Sequence, residues 1–121
     1  MKVFFTVSAV FNFAVVLLFV LGQSLLFPLF GLEPNNSAIN FMYFLMSVVG
    51  LFGVAYYRIA NQPERYRELI LFGAQAKLVL AATGVLNVVI GLVLWPILIP
   101  LAADVVFAAI FIKYYKQLSC V

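Results

Sequence analysis

Hydrophobic positions in this chain fall into four long runs, about residues 3–21, 38–57, 69–93 and 97–115, with polar residues gathered in the short stretches between them. Each run is long enough to cross a hydrocarbon layer roughly 30 Å thick as a helix. The pattern predicts one all-α domain, an integral membrane antiparallel four-helix bundle with short connections. After the first run, GQSLLFPLFGLEPNNS is apolar but broken by Gly and Pro, which should end or bend the helix near Pro28. Asn36 or Ser37 then stands where a cap for the second helix is needed. Asn61 and Glu64 have capping-box spacing around Pro63, which would start helix three before its apolar run. In LVLWPILIP, two starts for helix four stay open: at Pro96 with a kink at Pro100, or at Pro100 after an extended loop.

Composition narrows the class. Of 121 residues, 67% are hydrophobic and 9% charged, too few charges for a water-soluble domain. The net charge of +3 matters less than where the charges lie. Lys2 precedes the first run, Arg58, Arg65 and Arg67 lie between the second and third, and Lys113 and Lys116 end the fourth; the other two loops have no Lys or Arg. Short basic loops stay cytoplasmic, so both termini and the central loop are expected on the cytoplasmic face of the cell membrane. Glu64 with Arg67, and Arg65 with Glu68, are at i,i+3 spacing and read as a solvated anchor. The basic groups form no stripe with interleaved stacking aromatics, so no nucleic-acid partner is expected. The N-terminal run begins like a signal peptide, but it is longer than an h-region and lacks a small-residue cleavage site, so it reads as a retained helix.

Candidate chemistry is sparse. There is no histidine, and Cys120 is the single cysteine, which removes the usual residues for haem ligation through His, for zinc hydrolysis, for Ser-His or Cys-His catalysis and for dithiol redox work. No cofactor and no metal site are expected. Cys120 is juxtamembrane, and palmitoylation and a plain thiol both remain open.

One basic residue breaks the boundary pattern. Lys77 lies inside the third run, roughly 14 Å from its start at 1.5 Å per residue. On a helical projection it shares a line with Gly73, Leu80, Gly84, Asn87 and Gly91. Helix four has a matching line through Pro100, Asp104, Ala108, Phe111 and Tyr115. Helix two offers Tyr43, Ser47, Gly50 and Tyr57 with Gly53 nearby, and helix one Ser8, Asn12 and Gly22. Glycines on such lines allow close helix approach, and an ionised group inside a bilayer costs at least a few kcal/mol unless partnered. Lys77 and Asp104 are therefore expected to share an interior site with Asn87, Thr83, Asn12 and Ser47 around them. Gly73, Gly84, Gly91, Gly50 and Gly53 are expected at helix contacts. Phe27, Phe30, Tyr43 and Trp95 are candidates to frame an apolar pocket at the opposite end.

The layout from the first run through GLEPNNS, with GLFGVAYYR closing the second and RELILFGAQAKL opening the third, resembles the small four-helix bacterial membrane proteins of the DoxX-like and BphX-like kind. The resemblance implies a multi-pass protein of the bacterial inner membrane. Some members of that group are implicated as accessory subunits of quinone-linked oxidoreductases, and animal relatives as assembly factors. Three functions follow from residues and resemblance together. The first is a non-catalytic accessory or assembly subunit packed against a larger membrane protein or a second copy of itself. The second is a small proton-coupled transporter or lipid-binding protein using Lys77 and Asp104. The third, an enzyme acting on a lipid or quinone, lacks any visible nucleophile-base pair.

Overall fold

The computed structural model describes residues 1–119, which form helices joined by short connections, without a strand among them. Its elements are α1 (Lys2–Leu21), α2 (Gln23–Leu29), α3 (Asn36–Asn61), α4 (Arg67–Val89), a 3-10 turn (Trp95–Ile97) and α5 (Leu98–Ser119). Four stretches, Lys2–Leu21, Asn36–Asn61, Arg67–Val89 and Trp95–Leu118, are long and apolar enough to cross a membrane. Their outward faces carry Leu, Val, Ile and Phe, among them Val3, Leu21, Phe41 and Val79, each more than half exposed. Monomeric water-soluble proteins rarely leave contiguous apolar area of that extent uncovered.

The boundaries differ from the sequence expectation in four places. Asn35, not Asn36 or Ser37, caps α3, its side-chain oxygen accepting the Ala38 amide at 2.8 Å. The capping box at Asn61 does not form: Asn61 is the last residue of α3, and its amide donates to the Tyr57 carbonyl of the same helix. α4 then starts only at Arg67, where Arg67 pairs with its neighbour Glu68 at 3.2 Å and Arg65 reaches Gln62 instead of Glu68. At the other end α4 stops at Val89, although the apolar run continues, because Gly91 turns the chain with φ +84°. Helix four begins at neither proline: the 3-10 turn carries Pro96, and Pro100 sits in the first turn of α5, where a missing amide costs nothing. The Pro- and Gly-broken stretch after α1 does interrupt the helix, at Gly22, and folds into α2 with Pro28 inside it.

Helices pack in two pairs, α1 on α3 and α4 on α5, while α3 and α4 meet only sparsely. Buried positions repeat at steps of three, four or their sum of seven residues: Phe5, Ser8, Asn12 on α1; Met42, Met46, Gly53, Tyr56, Ala60 on α3; Ile70, Ala74, Lys77, Ala81 on α4; Leu101, Asp104, Ala108, Phe111 on α5. That is the seam spacing of helices packed nearly side by side. At the basic end all four long helices share one core, in which Phe5, Ala9, Tyr56, Ile59, Ile70, Ala74, Ala108 and Phe111 are buried. Ring contacts tie the pairs there: Phe5 to Phe111 at 4.9 Å, Tyr56 to Phe111 at 5.0 Å and Phe11 to Phe107 at 5.1 Å. The Arg67 guanidinium adds a cation-π contact, 3.9 Å over the Tyr115 ring.

The proline-rich end is different. Its core of Phe27, Met42 and Met46, with Val15, Phe19 and Leu32 against it, comes only from α1, α2, α3 and the loop after α2. α4 and α5 contribute nothing to it. The pairs are joined at this end through the chain itself: the Leu94 amide donates to the Phe30 carbonyl at 2.8 Å, and Leu94 packs over Gly31. A Cβ on Gly31 would stand 2.6 Å from Leu94 Cγ, and Gly31 has φ +71°, so both space and backbone require glycine there.

Candidate functional site

Two helix pairs joined at both ends and separated between them enclose a cavity of about 700 Å³, within the ~300–1,000 Å³ of small-molecule sites. Its walls are mostly apolar, from Phe19, Phe27, Phe30, Met42, Met46 and Leu101 among others. Its polar residues are few: Asn12, Tyr56, Lys77, Thr83, Asn87 and Asp104.

Lys77 and Asp104 form the floor. The ammonium lies 2.8 Å from Asp104 Oδ1, and the two residues are 5% and 8% exposed. Ring faces surround the ammonium from three other directions: Phe107 at 5.2 Å, Tyr56 at 5.3 Å and Phe11 at 5.7 Å. All four long helices thus converge on one cation. A buried ion pair holds only with near-ideal contact and further favourable electrostatics, which the negative ring faces supply. Small residues around it bring the helices close enough. A Cβ on Gly73 would meet Tyr56 Cε1 at 2.9 Å and Phe111 Cε2 at 3.2 Å, one on Gly53 would meet Phe13 Cε1 at 2.9 Å, and one on Gly84 would collide with Leu101 Cδ1.

The other sequence-predicted residues divide. Asn12 is buried in the wall, its amide donating to the Val49 carbonyl at 3.1 Å and so pinning α1 to α3. Thr83 and Asn87 line the cavity above the pair, with the Thr83 hydroxyl donating to Val79 of its own helix. Ser47 is not part of the site: it is exposed and donates to the Tyr43 carbonyl one turn back. A Cβ on Gly50 would make only an ordinary 3.8 Å contact with Val16, and one on Gly91 would meet nothing within 4 Å; Gly91 is no helix contact, since it ends the turn after α4. Phe27 and Phe30 face the cavity, whereas Tyr43 and Trp95 are exposed and lie outside it. Cys120 falls outside the described residues.

Tyr56 is the functional candidate that sequence reasoning missed. It is 1% exposed, lines the cavity and borders both Lys77 and the aromatic core. The helical projection set Tyr57 on the polar face of that helix, but Tyr57 is exposed and its neighbour Tyr56 is the buried one. Its three-residue step from Gly53 was the available signal.

Four cavity-lining residues remain exposed: Phe41, Leu45 and Val48 on α3, and Thr83 on α4. The lining residues of α1 and α5 are all buried or half-buried. The cavity therefore opens sideways, between α3 and α4, above the stacked rings of Phe52 and Phe72. Comparison with family models, curated proteins and solved structures finds no match for this chain.

Proposed function

We propose that this is a multi-pass protein of the cell membrane that holds an apolar or amphiphilic ligand in the cavity between its helix pairs. Its helices form an antiparallel four-helix bundle, because Phe5 near the start of α1 packs with Ile59 near the end of α3, and Gly73 early in α4 packs with Phe111 late in α5. Both termini and the loop at residues 62–66 lie on the cytoplasmic side, where Lys2, Arg58, Arg65, Arg67, Lys113 and Lys116 gather.

The observation that carries the ligand role is the sideways opening. Its exposed rim is Phe41, Leu45, Val48 and Thr83, a surface matched to acyl chains and facing the plane of the bilayer. A ligand dissolved in lipid enters without crossing water. An accessory subunit docked on a larger protein would offer its small-residue faces to that partner. Gly53, Gly73 and Gly84, however, are occupied by neighbours within the chain, which shifts the balance toward ligand binding.

Native mass spectrometry of the chain released from nanodiscs tests this. One retained lipid per chain is expected from wild type, and its loss is expected when Leu80→Trp fills the cavity wall. Equal lipid retention by both proteins at equal thermal stability removes the cavity as a binding site.

A further inference from the structure

The cavity's charge and polar atoms narrow the ligand. This step rests on the ligand-holding role proposed above. Among the described residues, Lys77 and Asp104 are the only charged ones on the cavity wall, and they neutralise each other at 2.8 Å. The ammonium is enclosed by Asp104 and three aromatic rings, so it offers no free cation to a phosphate or carboxylate. A charged head would bring an uncompensated charge to this depth. Lys77 is ten residues beyond Arg67, about 15 Å along the helix, and an uncompensated ion there costs at least a few kcal/mol.

Three polar atoms keep hydrogen-bonding capacity on the cavity side. The Tyr56 hydroxyl and Asp104 Oδ2 have no hydrogen-bond partner among the described residues, and Asn12 Oδ1 stays open because only the Asn12 amide nitrogen bonds Val49. None of the three is a sealed orphan; each keeps some accessible surface. In residues 1%, 8% and 5% exposed that line a cavity, such surface faces the cavity. Two of these atoms only accept hydrogen bonds, and the third both donates and accepts. A hydroxyl answers the Asp104 and Tyr56 part of this set, donating its one hydrogen to Asp104 Oδ2 and accepting from the Tyr56 hydroxyl, and leaves Asn12 Oδ1 to a second hydroxyl or a water.

We infer that the ligand is a lipid with a small uncharged hydroxyl head, seated with that head between Asp104 and Tyr56 at the cavity floor and its apolar body against Phe19, Phe27, Met42 and Leu101. A hydroxyl head reaches mid-bilayer depth at far lower cost than a charged one and recovers part of that cost by hydrogen bonding, which fits a polar floor placed near the middle of α4 and α5.

The full-length protein in nanodiscs, labelled by a diazirine-bearing long-chain alcohol, tests the inference by competition with hexadecanol, hexadecanoic acid, hexadecyl phosphate and hexadecane. Labelling of α3 and α4 at the cavity, and strongest competition by hexadecanol, are expected. Tyr56→Phe is expected to weaken hexadecanol by about 2- to 10-fold, the worth of one hydrogen bond, while leaving hexadecane unchanged. If the acid, the phosphate or the alkane competes as well as the alcohol, or if Tyr56→Phe shifts none of them, the hydroxyl head is wrong and the cavity still binds. If the probe labels no cavity residue, the ligand-holding role itself fails.

Discussion

Lys77 and Asp104 stand 27 residues apart in the chain and 2.8 Å apart in space, joining α4 to α5 in an interior otherwise built from aromatic and aliphatic groups. Removing one partner leaves a bare charge, so Lys77→Met or Asp104→Leu alone should each cost about 3–5 kcal/mol. The double change Lys77→Met with Asp104→Leu should recover most of that loss, because an apolar pair fills the same space without desolvation. The exchanged pair Lys77→Asp with Asp104→Lys should also unfold above either single reversal. Thermal unfolding in detergent micelles measures both. Additive losses in the double variants would remove the coupling.

The glycines separate by what surrounds them. Gly73→Ala drives a methyl against the rigid rings of Tyr56 and Phe111 and should cost about 1–3 kcal/mol. Gly84→Ala meets only the tip of Leu101, which can turn into the cavity, and should cost less. Gly50→Ala meets an ordinary van der Waals contact and should stabilise α3 by up to about 1 kcal/mol through helix propensity. The rank order of unfolding temperatures checks all three.

The same residues show what could be read from the sequence. The faces of α4 and α5 were legible because each carries one ion, and an ion inside an apolar helix can point only inward. The face of α3 was misread. Its polar Tyr43 and Ser47 point outward while Met42, Met46, Gly53 and Tyr56 point inward, since against lipid neither side has a hydrophobic reason to be buried. For the same reason hydropathy ran on past Val89, where only the φ of Gly91 ends α4. The cavity was illegible because it arises from two pairs failing to meet, which no single run of residues encodes.

At the proline-rich end, Gly31→Ala should strain a backbone held at φ +71° and push Leu94 aside. The hydrogen bond from Leu94 to Phe30 should then open more often. Hydrogen exchange read by mass spectrometry should show faster exchange over residues 92–97 with no change at residues 5–12. Unchanged exchange at both places would mean that this connection does not hold the pairs together.

If ligands enter between α3 and α4, Leu45→Trp at the rim should slow photolabelling several-fold, with a smaller effect on the amount bound at equilibrium. Leu25→Trp, on exposed α2 away from the cavity, should leave the rate unchanged. Equal slowing by both, or by neither, argues against this route.

The orientation proposed from the charge distribution is one that cysteine labelling reads directly. In a Cys120→Ser background, Glu33→Cys should react with a membrane-impermeant maleimide on right-side-out vesicles, and Glu64→Cys only after permeabilisation. The reverse pattern would invert the topology.

Both ions also lie in the second half of the chain, on helices that pack as a pair. During synthesis α4 and α5 leave the ribosome one after the other, and the loop between them is short enough to let them partition as a hairpin. The ammonium can therefore find its carboxylate before α1 and α3 close over it. In the membrane topology proposed above, such a hairpin would leave no naked charge among acyl chains, and the first half of the chain carries no buried charge that needs a partner from the second.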